Sequence, residues 1–389
     1  MRVSAHVSFS RADPCCLSFS HTHSRSFGRY PNGKSSTCAW YPLHFPLLLL
    51  TRTCIPVLIQ FEDFQTTHAG TLLERYRKHH LVFNDDIQGT ATTVLGGVYG
   101  ALAAQGKPPS ELVDQRFVVA GAGSAGMGVV DQLAKAMVKH GLSAHEARAR
   151  FWVLDVEGLV SKDRHFMPEF VKPFARQEEG VEGMQLEEAI RKYKPTVLIG
   201  LSAVGGLFRE EHLRAMTEGC EKPVVLPLSN PTSKLECMAS QCAEWTEGRA
   251  IYAAGSPQPD VAYGGRTIAS SQSNNMYIFP GLALGAAIGK TQIISDHMLM
   301  TASEALVRCV DEEELAQGRI FPRLSKIRDI SLEIACSVIQ TAAEDGHCSN
   351  RSAEILECQG MDGLKAYVKS KMFKPCYSPL VYLPPGVGE

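Results

Sequence analysis

The stretch RFVVAGAGSAGMGVVDQLAKAM, residues 116–137, decides the expected fold. Four apolar residues, Phe117–Ala120, read as a short buried strand, and Gly121-x-Gly123-x-x-Gly126 follows at once. An amphipathic helix pattern then runs to about His140. The glycines allow a tight turn, a close approach of backbone N–H groups to a pyrophosphate, and close packing of helix on strand. A phosphate held there sits at the positive end of the helix, against Gly121, Gly123, Ser124, Ala125 and Gly126. Such a glycine pattern alone is weak evidence; between a strand and a helix it is much stronger. The plain alternative is an ordinary glycine turn.

Downstream, Gly141 stops the helix, and Ser143-x-x-Glu146 reads as a capping box opening a short second one. A strand over residues 151–154 then ends in Asp155, an acid placed to accept hydrogen bonds from adenosine ribose hydroxyls. Gly126 to Asp155 is longer than the usual spacing of ~20 residues, the short helix making up the difference. Further strands are expected at 196–200, 224–228 and 250–254, with helices at Leu186–Tyr193 and 210–217 between them. This alternation predicts an α/β, Rossmann-like fold, a mainly parallel sheet with helices on both faces. Ligands on such sheets bind at the C-terminal strand ends, here followed by loops 201–206, 229–232 and 255–257. Asn230, held extended before Pro231, lies in one of them; its plain reading is an Asx-turn. Residues 285–344 are helical by pattern, with Ile327, Ile330, Ile334 and Val338 on one face, as core or assembly helices.

Upstream, an apolar run at 81–83 delivers the chain into Asn84-Asp85-Asp86, and a small-residue helix is expected from Ile87 to about Gln105. Two carboxylates at a strand–helix junction can sit as anions at the positive helix end. They can also bind a hard divalent cation through oxygen. Glu62-Asp63 is a second acidic pair, inside a strand-like apolar segment, where its charge is costly unless compensated. A shared Mg²⁺ or Mn²⁺ would compensate both.

IQFEDFQ at 59–65, followed by HHLVFNDDIQGTA at 79–91, resembles the metal-binding core of the malic enzymes, oxidative decarboxylases of malate. The resemblance implies that Glu62, Asp63 and Asp86 hold the metal and that Asp85 supports the proton chemistry of the site. LSNPT and SNNMYIFPGLALG are similar to the family segments that touch malate and nicotinamide, which implies roles for Asn230, Asn274 and Asn275, with Asn275 and Asn230 on substrate. Ser271-Gln272-Ser273 departs from the glycine many relatives place before the asparagines. The likeness covers roughly residues 57–346, the dinucleotide-binding part of the family. The family's catalytic tyrosine and lysine and its carboxylate-gripping arginine belong to a preceding region whose motifs are not found here. The expectation is at most a trace of malate turnover by this chain alone; a non-catalytic NAD-binding fragment or regulatory subunit is the alternative. Asp155 and Glu157 favour NAD over NADP, with Lys162 and Arg164 as the counter-signal.

Composition is consistent with this. The chain has 389 residues, enough for two domains or one large one, and 39 basic against 41 acidic residues, which speaks against nucleic acid or a charged membrane as partner. The longest apolar run is far below the ~20 residues of a membrane-spanning helix. Twelve cysteines without CxxC pairing read as reduced thiols rather than a zinc site. Residues 1–56, acid-poor and rich in Ser, His, Cys and Pro, read as an unrelated or disordered leader or as a transit peptide. A mitochondrial or other organelle matrix is therefore expected, with the cytoplasm as alternative. The expected divisions are this leader, a metal-binding segment at 57–90, a dinucleotide-binding domain at 91–346 and a tail at 347–389, whose basic, aromatic stretch Tyr367–Tyr382 packs as a surface strap or on another subunit of a homo-oligomer.

Overall fold

The computed structural model describes residues 57–348 and 351–375, together with the backbone of residues 8–9 and 16–19. The strands are β1 Ser8–Phe9, β2 Cys16–Phe19, β3 Leu58–Phe61, β4 Val82–Asn84, β5 Phe117–Ala120, β6 Phe151–Asp155 and β7 Gly158–Leu159, then β8 Val197–Gly200, β9 Val224–Pro227, β10 Ile251–Ala254, β11 Val261–Tyr263, β12 Arg266–Ile268 and β13 Ser270–Gln272. The helices of the first half are α1 Thr66–Tyr76, α2 Thr90–Ala104, α3 Ser124–Lys139, α4 Ala144–Arg148, α5 Leu186–Tyr193 and α6 Glu210–Gly219. They are followed by α7 Ala239–Trp245, α8 Phe279–Gly289, α9 Asp296–Arg308, α10 Glu312–Ala316, α11 Ile327–Glu344 and α12 Arg351–Lys371.

The main sheet has seven strands in the order β13-β10-β9-β8-β5-β6-β7. All neighbours are parallel except β6 and β7. Alternation along each strand sends successive side chains to opposite faces. Phe117 and Val119 join one core with α2, α3, α8, α9 and α11, whereas Val118 and Ala120 join the other with α5, α6 and α7. Burial on both faces explains why the strands read as unbroken apolar runs. The chain leaves β5 for β6 on one side and returns to β8 on the other, so the crevice at the C-terminal ends of β5 and β8 is the topological switch point.

A second sheet, in the order β1-β2-β3-β4, has β3 parallel to both β2 and β4. The leader reading thus meets two short strands, β2 at 16–19 paired onto β3 and β1 at 8–9 paired onto β2; the rest of 1–56 lies outside the described residues. Ile59, Phe61 and Val82 pack with Leu72 and Tyr76 of α1 in a small core of their own. Three further differences from expectation follow from local chemistry. Ser270–Gln272, where no strand is expected from the sequence, is an edge strand on β10. Tyr263-Gly264-Gly265-Arg266 closes a hairpin, with both glycines at positive φ. Residues 351–371, read as tail with the strap beginning at Tyr367, are helical with a break at Gly360 (φ 67°), and residues 376–389 lie outside the described residues.

The small sheet is tied to the large one by Asp296, the first residue of α9. It accepts hydrogen bonds from Arg77, just past α1, and from Lys135 of α3 at 2.8 Å. Burial disfavours its charge, but the two cations prevail and hold its carboxyl below the usual range. Asp296→Asn is expected to lower stability at pH 7 by about 1 kcal/mol, the sum of a partly exposed ion pair and a helix N-terminus. Because the folded pKa is depressed, that contribution is present above the unfolded pKa and is lost as pH falls through the folded one. Urea unfolding of both proteins across this range checks it; a difference that does not shrink in acid contradicts the assignment.

Candidate active site

The two acidic motifs converge. Glu62 and Asp63 follow β3, and Asp86 follows β4, the strand paired beside it. One carboxylate oxygen from each lies within 4.8 Å of the others. Asp63 takes a left-handed conformation (φ 57°), which Asp tolerates better than most residues, and its N–H donates to Asp86 Oδ2 at 2.8 Å. Gln60 donates to Glu62 at 2.7 Å. Burial raises the Glu62 carboxyl, as do the charges of Asp86 and Asp63. Burial likewise raises Asp86, against the lowering effect of the Asp63 N–H. No Lys or Arg among the described residues enters the balance of either group. An all-oxygen set of three carboxylates without His or Cys suits Mg²⁺ or Mn²⁺ rather than zinc.

Asp85 is placed differently from its neighbour. It is 3 % exposed, and its Oδ2 and backbone carbonyl both accept from Asn275 Nδ2, at 3.1 and 3.0 Å. The same amide group donates to Thr90 Oγ1 at 3.0 Å. Asp85 Oδ1 is buried without a partner among the described residues. Burial, and then the Glu62 charge, push the Asp85 carboxyl up to about 7, with Asn275 pulling the other way. A carboxyl so perturbed in a cluster of acids is a candidate acid–base group.

The local backbone explains why this geometry forms. The helix expected from Ile87 begins earlier, as a π turn over Asp85–Gly89 that leads into α2. Asn84 caps it, accepting from Ile87 N–H at 2.9 Å, and its own N–H donates to Gln88 at 3.0 Å. Gly89 makes room, since a Cβ there would lie 2.0 Å from Asp85 Oδ1. A Cβ on Gly128 of α3 would lie 2.7 Å from Ile87 Cγ2, so the helix behind the glycine turn packs directly on the acidic turn. The two motifs of the sequence therefore share one piece of packing.

At the switch point, Gly121 has φ 131°, and a Cβ on it would sit 2.4 Å from the Leu201 carbonyl oxygen. A Cβ on Gly126 would sit 2.0 Å from the Gly121 carbonyl oxygen. Gly123 is the N-cap of α3 and faces open space, leaving the N-terminal N–H groups of α3, with Ser124 and Ala125 in its first turn, open to an anion. Asp155 ends β6; its Oδ1 accepts from Glu157 N–H at 2.9 Å and its Oδ2 from Arg164 Nη1 at 2.5 Å. Arg164, only 7 % exposed, is also bound by Glu182 and lies 3.4 Å from Glu157. It is thus fixed by three carboxylates. Lys162 and His165 line the open cleft of about 480 Å³ beside it.

The asparagines divide. Asn275 joins Asp85; Asn274 caps the short turn Asn275–Tyr277, accepting from Met276 N–H at 2.9 Å. Asn230, exposed after β9, accepts from Ser256 Oγ at 2.7 Å. Sequence reasoning does not single out Thr90, Asn84 or Glu236. The first two flank the acidic pair, and that position is a signal that could find them. Glu236 carries only the signal of an acid between two apolar residues, Leu235 and Cys237.

The sequence profile described as "Malic enzyme, NAD binding domain" matches residues 87–343, beginning one residue after Asp86. The chain belongs to the malic enzyme family. It is 40% identical over 340 residues to the NADP-dependent malic enzyme of Dictyostelium discoideum, covering 87% of this chain and 60% of that one. Against the mitochondrial NAD-dependent malic enzyme of Solanum tuberosum it is 40% identical over 341 residues, 84% of this chain and 54% of that one. The chain therefore spans a little over half the length of the curated relatives it matches. The crystal structure of Entamoeba histolytica malic enzyme superposes with a TM-score of 0.61 at 23% identity, over 81% of this chain and 66% of that one, a likeness of fold.

Proposed function

We propose that this chain carries the dinucleotide- and metal-binding half of a malate-oxidising, decarboxylating active site. The observation that supports it best is the convergence of Glu62, Asp63 and Asp86 beside the buried Asp85–Asn275 pair, on a turn that packs against the dinucleotide helix. Glu62, Asp63 and Asp86 would hold Mg²⁺ or Mn²⁺, which would supply Lewis acidity toward malate. A dinucleotide held at the glycine turn would supply the hydride acceptor. The protein's own side chains do the rest. Asn230 orients substrate by its neutral amide donor, Asn275 commits its NH₂ to Asp85 and Thr90 and turns its Oδ1 to substrate, and Asp85 holds or releases a proton beside the metal ligands. The glycine turn and the N-terminus of α3 receive the pyrophosphate, and Asp155 receives the adenosine ribose. Calorimetric titration with Mn²⁺ tests the metal half: the reading expects one saturable ion per chain, and absence of saturation at millimolar Mn²⁺ contradicts it.

NAD is the expected cofactor. Arg164 is itself buried and held by Asp155, Glu157 and Glu182, so it cannot turn to a 2′-phosphate without giving up these pairs. Direct titration should show NADH binding at least about tenfold tighter than NADPH, the effect of one charge left uncompensated. Equal affinity contradicts it. An organelle matrix location and assembly as a homo-oligomer belong to the same reading; the first rests on the acid-poor N-terminal stretch.

The second reading, a binding chain without turnover, has the same sites and differs in acid–base equipment. Malate-dependent NAD reduction by the purified chain, alone and mixed with a full-length family member, separates the two.

A further inference from the structure

Glu236 is wholly buried, and no Lys or Arg among the described residues is paired with it. Its carboxylate is instead shared between two loops. Oε1 accepts from Ser202 N–H at 3.0 Å, Ser202 Oγ at 2.9 Å and Ser229 Oγ at 2.5 Å, and Oε2 accepts from Ser229 N–H at 3.3 Å. Ser202 follows β8 and Ser229 follows β9. The two serines extend the net: Ala203 N–H donates to Ser229 Oγ at 2.8 Å, and Val204 N–H donates to Ser202 Oγ at 3.1 Å. Ala203 is thereby held at φ 56°, a conformation that non-glycine residues seldom adopt. Gly200 makes the space, because a Cβ there would lie 2.5 Å from Glu236 Cδ.

We propose that Glu236 is a positioning residue that locks the loops after β8 and β9 in the shape needed by the nicotinamide half of the dinucleotide. The inference rests on the dinucleotide-binding reading above. In a doubly wound sheet the strands on one side of the switch point serve the adenosine half and those on the other serve the nicotinamide half. Ser202 and Ser229 stand on the β8–β9 side, and Asn230 is the next residue. Leu201, whose carbonyl oxygen abuts Gly121, precedes Ser202. A carboxylate is the side chain for this place because it accepts only, and all four groups facing it donate. A glutamine would set its NH₂ against N–H and O–H donors. A buried acid with no cation is a poor route to stability; what it provides is one fixed relation between two loops.

The experiment compares NADH and ADP-ribose binding, by fluorescence and calorimetry, in the wild type and in Glu236→Gln. NADH affinity should fall about tenfold or more, the scale of one lost charge-assisted hydrogen bond, while ADP-ribose affinity stays within about twofold. A purely structural role would weaken both alike, and that result overturns the proposal, as does unchanged NADH binding. If Glu236→Gln does not fold, Ser202→Ala and Ser229→Ala each remove one O–H donor and should show the same split at smaller size; equal weakening of the two ligands, or no weakening, again overturns it. Failure of the wild type to bind NADH removes the parent reading and this one with it, whereas failure of the split alone removes only this one.

Discussion

Gly126→Ala is expected to weaken NADH binding by at least about 100-fold, the size associated with a misplacement of about 1 Å at a binding group. Intrinsic preference argues the other way, since alanine is favoured over glycine within a helix by up to about 1 kcal/mol. Sterics decide. The new Cβ would lie 2.0 Å from the Gly121 carbonyl oxygen, and that oxygen is backbone in a turn already braced against Leu201. Either α3 moves away from β5 or the turn opens, and both displace the N–H groups meant for the pyrophosphate. The overlap should also lower stability by about 1–3 kcal/mol, as overpacking does. Fluorescence titration with NADH and urea unfolding measure the two effects. Binding within threefold of wild type would mean that the phosphate does not sit on this turn.

The second large effect concerns the acids. Asp86→Asn should weaken Mn²⁺ binding by at least about 100-fold, because loss of a group merely supporting a metal ligand already costs 10–100-fold. Asp86 is more than a supporting group: its carboxylate is one of three whose oxygens meet within 4.8 Å. The metal-free protein should respond oppositely. Burial and the Asp63 charge raise the Asp86 carboxyl, so the asparagine removes a repulsion and keeps an oxygen for the Asp63 N–H. Thermal unfolding with chelator should therefore show no loss of stability, while Mn²⁺ should stabilise the wild type and not the variant. An unchanged Mn²⁺ titration in the variant would remove Asp86 from the site.

The amino-acid sequence reveals some of these features and hides others. Phe117–Ala120 stands out because four apolar residues end at a glycine turn, and burial on both faces of the sheet leaves no polar alternation to blur it. The Ser143–Glu146 box is legible because its hydrogen bonds are local. The π turn at Asp85–Gly89 is not. Its register depends on Gly128 accepting Ile87 and on Gly89 leaving room for Asp85, which are contacts across the fold. Residues 351–371 read as part of a tail because Gly360 and the later prolines mask the helical pattern. In the candidate site, motifs disclose the acids and asparagines, but the Asn275–Asp85 bond spans 190 positions and only the fold shows it. Glu236 is silent in the sequence because its partners, Ser202 and Ser229, look like ordinary loop serines.

The central claim is that the carboxylate cluster and the dinucleotide crevice serve one substrate. The most direct measurement is the fluorescence of the protein–NADH complex titrated with malate, in Mn²⁺ and again in excess chelator. A shared site predicts a saturable response to malate with Mn²⁺ that disappears with chelator, because on this reading malate would reach the cluster through an ion held by Glu62, Asp63 and Asp86. A malate response unaffected by chelator, or none in Mn²⁺ while NADH still binds, would contradict it.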